Sequence, residues 1–187
     1  MNVSRALAWR FHWYRFSELD GALLLGKLVR ATSDSYLIRA LTKHCADEAR
    51  HSLLWLEAIE ASQLPPVRIL RSYQSLYYEN GAPPRTMAEV LAVTHIFELR
   101  VDSEFQLELE NPYCPAPVRK ALQVMLNDEK GHLSWIHQWL GKHAEGEDLL
   151  KYYRQRDEMV YIEVAKFKDC LWEYPGIGEE LQFKARE

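Results

Sequence analysis

The stretch Asp47-Glu48-Ala49-Arg50-His51 has a near copy 81 residues on, Asp128-Glu129-Lys130-Gly131-His132. No other feature of the chain constrains its fold as tightly. On a helix, residues three apart share a face, so Glu48 projects beside His51 and Glu129 beside His132. A carboxylate and an imidazole held side by side on a rigid helix make half of a metal site. Two such helices facing each other complete a place for two ions. The Asp at the head of each copy stands four residues before the His. There it can accept the proton of the far ring nitrogen and fix the tautomer, so Asp47 and Asp128 are expected to support the ligands.

A pair of such motifs wants two more carboxylates, one from each remaining helix of a four-helix bundle. Glu18 precedes Glu48 by 30 residues and Glu98 precedes Glu129 by 31. The chain therefore reads as one helical-hairpin unit used twice, with Glu18, Glu48, His51, Glu98, Glu129 and His132 as metal ligands. One Glu-x-x-His arises easily by chance. Two, each with its Asp and each preceded by a Glu at nearly equal spacing, do not.

Hydrophobic periodicity places these residues on inner faces. A first helix from a cap at Ser4 to about Arg30 carries Leu7, Phe11, Tyr14, Glu18, Gly21, Leu25 and Leu28 at intervals of three and four. Glu18 sits in the middle of that stripe, where a carboxylate is costly unless neutralised, paired or bound to metal. The second helix, about Tyr36 to Gln63, shows Leu37, Leu41, His44, Glu48, His51, Trp55 and Ala58, and stops at Pro65-Pro66. A connection of roughly 20 residues follows, with Asn80-Gly81 and Pro83-Pro84 as breakers and a short helix expected within Val67 to Tyr78. So long a link fits helices two and three running parallel, with the chain travelling back along the bundle.

Thr86 with Glu89 forms a capping box for the third helix, which bears Leu91, Thr94, Glu98, Val101, Phe105 and Glu108 and ends near Asn111-Pro112. The fourth, Ala116 to His143, turns Leu122, Met125, Glu129, His132, Trp135 or Ile136, and Trp139 inward. A charged fifth helix, about Glu147 to Leu171, is expected on the outside of the bundle, followed by an irregular tail. No strand pattern is evident. The fold class expected is all-α, one domain over residues 1–187, with a core bundle at about 5–143.

Composition narrows the partners. A formal charge of −4 without a basic run argues against gripping nucleic acid. Cys45, Cys114 and Cys170 are odd in number and widely spaced, which suggests neither a disulfide framework nor a thiolate metal knot. A reducing cytoplasm fits that usage. The N-terminus lacks the apolar segment of a signal peptide, and nowhere do ~18 apolar residues run together, so no membrane span is expected.

With its six-ligand pattern over about residues 5 to 143, the chain resembles the ferritin-like di-iron carboxylate superfamily. The form Asp47-Glu48-x-Arg50-His51 is similar to the motif of bacterial di-iron monooxygenase hydroxylases. The second copy has Gly131 where those enzymes often carry Arg, which leaves the hydrogen bonds around the second ion without their usual partner. The resemblance implies a ferritin-like four-helix bundle with the long crossover between helices two and three. Glu48 and Glu129 would bridge two metals, His51 and His132 would bind one each, and Glu18 and Glu98 would be terminal ligands. Such a hard oxygen and nitrogen set suits iron or manganese, or one of each.

The expected activity is activation of dioxygen to oxidise, hydroxylate or desaturate a small, largely apolar organic molecule. An external electron donor and its electron-transfer partner are needed, because the chain has no flavin or iron–sulfur motif. Some relatives take substrate from a carrier protein, and ferritin-like bundles often pair as homodimers. Rubrerythrin-like peroxidases usually add a four-Cys iron domain and a further Glu on the third helix. Here there is no Cys-x-x-Cys, and Val101 stands three residues after Glu98.

Two rival readings stay open: a ferroxidase or peroxidase without an organic substrate, and a non-enzymatic bundle whose Glu and His residues pair with one another and serve assembly. Glu18 and Glu98 read also as an interhelical ion pair with Arg15 or Arg100. Several neighbours are read first as ordinary core or surface residues: His44, His95 and His137, Tyr14, and the cluster Trp9, Phe11, Trp13 and Phe16. Asp102 is weighed evenly between a support to the ligands and an exposed carboxylate. Thr94 reads equally as a guide for oxygen or protons and as helix packing.

Overall fold

The computed structural model describes residues 3–79, 83–165 and 178–179. Its helices are α1 (Val3–Val29), α2 (Ser35–Ala61), α3 (Tyr73–Glu79), α4 (Met87–Glu110), α5 (Ala116–Leu140) and α6 (Gly146–Ala165). Helix α1 already runs at Val3, so Ser4 lies inside it rather than capping it. Asp34 caps α2, its carboxylate accepting the Leu37 N–H at 2.9 Å. Thr86 and Glu89 close the expected capping box on α4. Helix α2 ends through Gln63, a non-glycine residue at φ 55°, just before the two prolines.

Side-chain pairs fix the directions. Arg10 meets Glu108 and Tyr14 meets Glu104, so α1 and α4 run antiparallel. Asp47 lies beside His132 and His51 beside Asp128, so α2 and α5 are antiparallel too. The Ser52 hydroxyl donates to the Arg15 carbonyl, and the Cys45 thiol to that of Ala22, so α1 and α2 form an antiparallel hairpin. Since both run opposite to α1, α2 and α4 are parallel, and the long connection between them crosses the bundle as its length requires.

That connection differs in detail from the periodicity reading. Among its described residues only Tyr73–Glu79 is helical, because the Ser72 hydroxyl accepts the Ser75 N–H and starts the helix there. Ahead of it, Val67 and Ile69 are buried while Arg68 is exposed, the alternation of a strand. Arg68–Ile69 (β1) pairs antiparallel with Gly178–Glu179 (β2), a short ladder that the sequence did not announce. The breaker Asn80-Gly81, Cys170 and the expected end of the fifth helix at Leu171 lie outside the described residues.

The core is aromatic at one end of the bundle. Phe11 stacks on Trp55 at 5.5 Å, and Phe105 of α4 meets Trp55 edge-on at 5.4 Å and Tyr14 at 5.8 Å. Helix α6 packs on α4 as an outer layer. Its buried Asp157 takes two hydrogen bonds from Arg100, at 2.6 and 3.0 Å, and one from the Tyr73 hydroxyl at 2.7 Å. A buried carboxylate so fully satisfied fixes where α6 sits. No helix among the described residues is long and apolar enough to cross a membrane.

Candidate metal centre

The six residues singled out by spacing converge at the middle of the bundle, and all are buried. Glu18 comes from α1, Glu48 and His51 from α2, Glu98 from α4, and Glu129 and His132 from α5. Their donor atoms form two buried clusters, each within 4.8 Å, that could hold metal ions. One is Glu18, Glu48, His51 and Glu129; the other is His44, Glu48, Glu98 and His132. Glu48 belongs to both. Glu129 also faces both ways, with Oε1 3.3 Å from His51 Nδ1 and Oε2 3.1 Å from His132 Nδ1.

His44 is the correction. It reads from sequence as a packing residue, yet its Nε2 lies 3.0 Å from Glu98 Oε1 and 3.3 Å from Glu48 Oε1. Its ring stacks on that of His132 at 3.7 Å between centroids. The signal was present: His44 stands one helical turn before Glu48 on the same apolar stripe. A lone histidine on such a stripe is weak, and only the arrival of α4 and α5 gives it partners. His95 and His137 instead stack loosely on each other, at 5.7 Å, outside both clusters.

The outer carboxylates are wired crosswise. His51 Nε2 lies 3.2 Å from Asp128 Oδ2, and His132 Nε2 lies 3.4 Å from Asp47 Oδ2. Each Asp thus serves the histidine of the other motif, not its own as helix spacing suggested. In an antiparallel pair, the residue one turn N-terminal on one helix comes level with the residue one turn C-terminal on the other. Both rings then present Nδ1 to the carboxylates. Arg50 donates to Asp128 at 2.6 Å and reaches Asp47 at 3.5 Å, so one guanidinium braces both halves. A Cβ at Gly131 would meet nothing within 4 Å, so no close contact requires glycine there.

This wiring makes a directional prediction. Asp128→Ala is expected to weaken the ion held by His51 by about 10–100-fold, the usual effect of losing a support to a ligating histidine. The ion held by His132 should be spared, and Asp47→Ala should do the reverse. A chelator-competition titration of each variant reads the two affinities. Loss of the same ion in both variants would refute the crossing.

Four carboxylates packed this closely, without cations, must share protons. Burial, with the neighbouring carboxylates Glu98, Glu18 and Glu129, pushes Glu48 well above the usual range. Burial and Glu129 do the same to Glu98. Burial opposes a charge on His51, but the nearby Glu129 and Glu18 carboxylates, at 3.3 and 3.8 Å, outweigh it and raise the imidazole to about 10. Burial would also raise Glu129, yet its contacts with His132, His51 and Glu98 hold it below the ordinary carboxylate range. His44 is pushed well below the usual imidazole value, by burial and then by His132.

The arginines needed for an ion pair with Glu18 or Glu98 are engaged elsewhere. Arg15 donates to His12 at 3.2 Å, and Arg100 is spent on Asp157. Meanwhile His44 Nε2, Glu48 Oε1, His51 Nδ1 and Glu129 Oε1 are buried without a partner in good hydrogen-bonding geometry. Yet Glu48 Oε1 lies 3.3 Å from His44 Nε2 and 3.9 Å from His51 Nδ1, and Glu129 Oε1 lies 3.3 Å from His51 Nδ1. Buried donor atoms this close, and not aligned for hydrogen bonding, are what a cation between them relieves. The residues therefore fit a metal pair. Gly21 completes the space: a Cβ there would stand 3.0 Å from Glu48 Oε2, tighter than ordinary packing permits.

Two adjoining cavities open on the carboxylate side, between α1 and α4. A cavity of about 30 Å³ touches Glu18, Glu48 and Glu98, with Gly21 and Thr94 in its wall. A second, of about 50 Å³ and almost wholly apolar, is lined by Trp13, Tyr14, Phe97, Phe105 and Tyr161 and reaches Glu18. Ser17, Glu18, Gln74, Phe97 and Val101 border both. Of the N-terminal aromatic cluster, only Trp13 and Tyr14 line this space. Trp9 and Phe11 are core, and Phe16 is half-buried. The Tyr14 hydroxyl donates to Glu104 at 3.0 Å, not to Glu18. Thr94 donates to the Val90 carbonyl at 3.0 Å. Asp102 accepts from Gln106 and belongs to neither cluster, although burial and then the Glu129 charge raise its carboxyl above the usual range.

Comparison with known proteins gave no match to the chain from any family model, any curated protein or any solved structure.

Proposed function

We propose that the chain is a non-haem dinuclear iron or manganese oxidoreductase of ferritin-like type, which activates dioxygen to oxidise a small, neutral, apolar organic molecule. The observation that carries this reading is the apolar cavity reaching the carboxylates. A centre that only oxidised ferrous ions or reduced peroxide has no use for a hydrocarbon-lined space of that kind at its ligands. The residues that would hold the ions are Glu18, Glu48, His51, Glu98, Glu129 and His132, with His44 as a further donor. Iron or manganese held there supplies the electrons for reducing dioxygen, replenished by an external donor.

The rest follows from the chain's own side chains. Asp47 and Asp128 hold the two imidazoles in one tautomer and one orientation. Trp13, Phe97, Phe105 and Val101 exclude water and hold substrate by apolar contact alone, which favours neutral molecules over charged ones. Glu104, accepting from Tyr14 and Tyr161, ties up the two phenol hydroxyls at the cavity wall. The cavity's small size favours a short alkyl chain or a single ring.

Val101→Phe tests this reading. The larger side chain is expected to fill the junction of the cavities and lower substrate oxidation at least about tenfold, leaving metal content unchanged. The assay is incorporation of ¹⁸O from labelled dioxygen, or loss of hydrogen, in a panel of small hydrocarbons and aromatics given to the reduced, metal-loaded protein. Rapid oxidation of ferrous iron, with every organic molecule left intact, would replace the proposal with the ferroxidase reading.

A further inference from the structure

We propose that the two metal positions are unequal, and that the one built around His44 fills first. The inference rests on the metal-centre reading above and assigns an order to it. The His44 position offers two imidazoles and two carboxylates, while the Glu18 position offers one imidazole and three carboxylates. Glu48 is common to both, and Glu129 approaches His51 and His132 alike. Much of the anionic field is therefore shared between the positions. What differs is the local donor set, and it differs by His44 against Glu18.

His44 is 1% exposed, and both its ring nitrogens lack a hydrogen-bond partner. Its Nε2 faces a carboxylate oxygen from each of two helices, Glu98 at 3.0 Å and Glu48 at 3.3 Å. A buried imidazole without any hydrogen bond costs free energy on every folding event unless something else occupies its lone pair. Its ring is held by stacking on His132 and by the edge of Trp135 at 5.9 Å, so it is placed before an ion arrives. Preplaced nitrogen donors favour the later first-row divalent ions, whereas an oxygen-rich set suits manganese. The gap between the positions should therefore widen from Mn²⁺ to Co²⁺.

The test is a calorimetric titration of Co²⁺, and separately of Mn²⁺, into the metal-stripped full chain without air. Wild type is expected to take Co²⁺ in two steps of one ion each, the first at least tenfold tighter, with a smaller gap for Mn²⁺. His44→Ala is expected to weaken the first step tenfold or more, and Glu18→Gln to weaken only the second. Equal steps in wild type, or a tight first step surviving in His44→Ala, would overturn the order while leaving the metal centre intact. Absence of any binding would overturn both. Should His44→Ala fail to fold, Glu18→Gln decides alone: a weakened first step there refutes the assignment.

Discussion

Glu48→Gln is expected to empty both metal positions and, in the metal-free protein, to raise the melting temperature. Glu48 borders both clusters, so its loss removes a donor from each ion at once. A direct ligand should cost at least about 100-fold in affinity, the upper end of what its supports cost. Without metal the balance reverses. The Glu48 carboxyl is buried among three other carboxylates that push its proton release well above the normal range. Gln keeps the shape and is neutral at every pH, so it relieves the cost of holding a proton on a buried carboxyl at neutral pH. Each kcal/mol relieved is worth about 2–4 °C in a chain of this size. The prediction is checked by metal analysis and by melting curves of both proteins with and without chelator. A metal-free Glu48→Gln protein that melts below metal-free wild type would refute it, and retained metal would refute the site itself.

The second large effect is on pH. Metal-free protein is expected to lose stability as pH rises from about 7 toward 10, while the stabilisation gained from added metal grows over the same range. In the fold His51 keeps its second proton up to about 10, against 6.5 for a free imidazole. Glu48 and Glu98 likewise hold protons above the usual 4.5. Between the unfolded and folded values the native chain binds more protons than the unfolded one, so stability falls with pH. The slope is about 1.4 kcal/mol per pH unit for each such proton. His44 and Glu129 shift the other way, but their contributions are complete above about 6.5, the free imidazole value, and do not oppose the trend. Metal must displace the same protons, so its apparent affinity rises as they leave. Thermal unfolding at pH 7 to 9, with chelator and with two equivalents of Mn²⁺ kept from air, reads both slopes. Parallel slopes in the two series would show that metal does not enter this cluster.

Much of this centre was legible in the sequence because a helix has a fixed period. Spacings of three and four placed Glu18, Glu48, His51, Glu98, Glu129 and His132 on inner stripes. Carboxylates amid apolar residues cannot be left there uncompensated. The same periodicity gave the helices, the Thr86 capping box and the long crossover, since all are set within one element or by the length of chain between two. The ladder between β1 and β2 was illegible for the opposite reason, as it joins residues more than a hundred positions apart through a segment too short to carry a pattern.

What tertiary structure alone decided is which helix faces which, and at what level. His44 joins a cluster that could hold a metal only because α4 brings Glu98 to within 3.0 Å of it. Asp47 and Asp128 exchanged histidines because α2 and α5 run antiparallel, a relation that spacing inside either motif cannot express. One Arg50 serves both carboxylates for the same reason. The cavity beside Glu18 likewise exists only because α6, pinned by Asp157 on Arg100, closes a wall that no single stretch of the chain encodes. Local periodicity placed the candidate ligands on inner faces, and the packing of helices decided how they divide into two clusters that could hold metal ions.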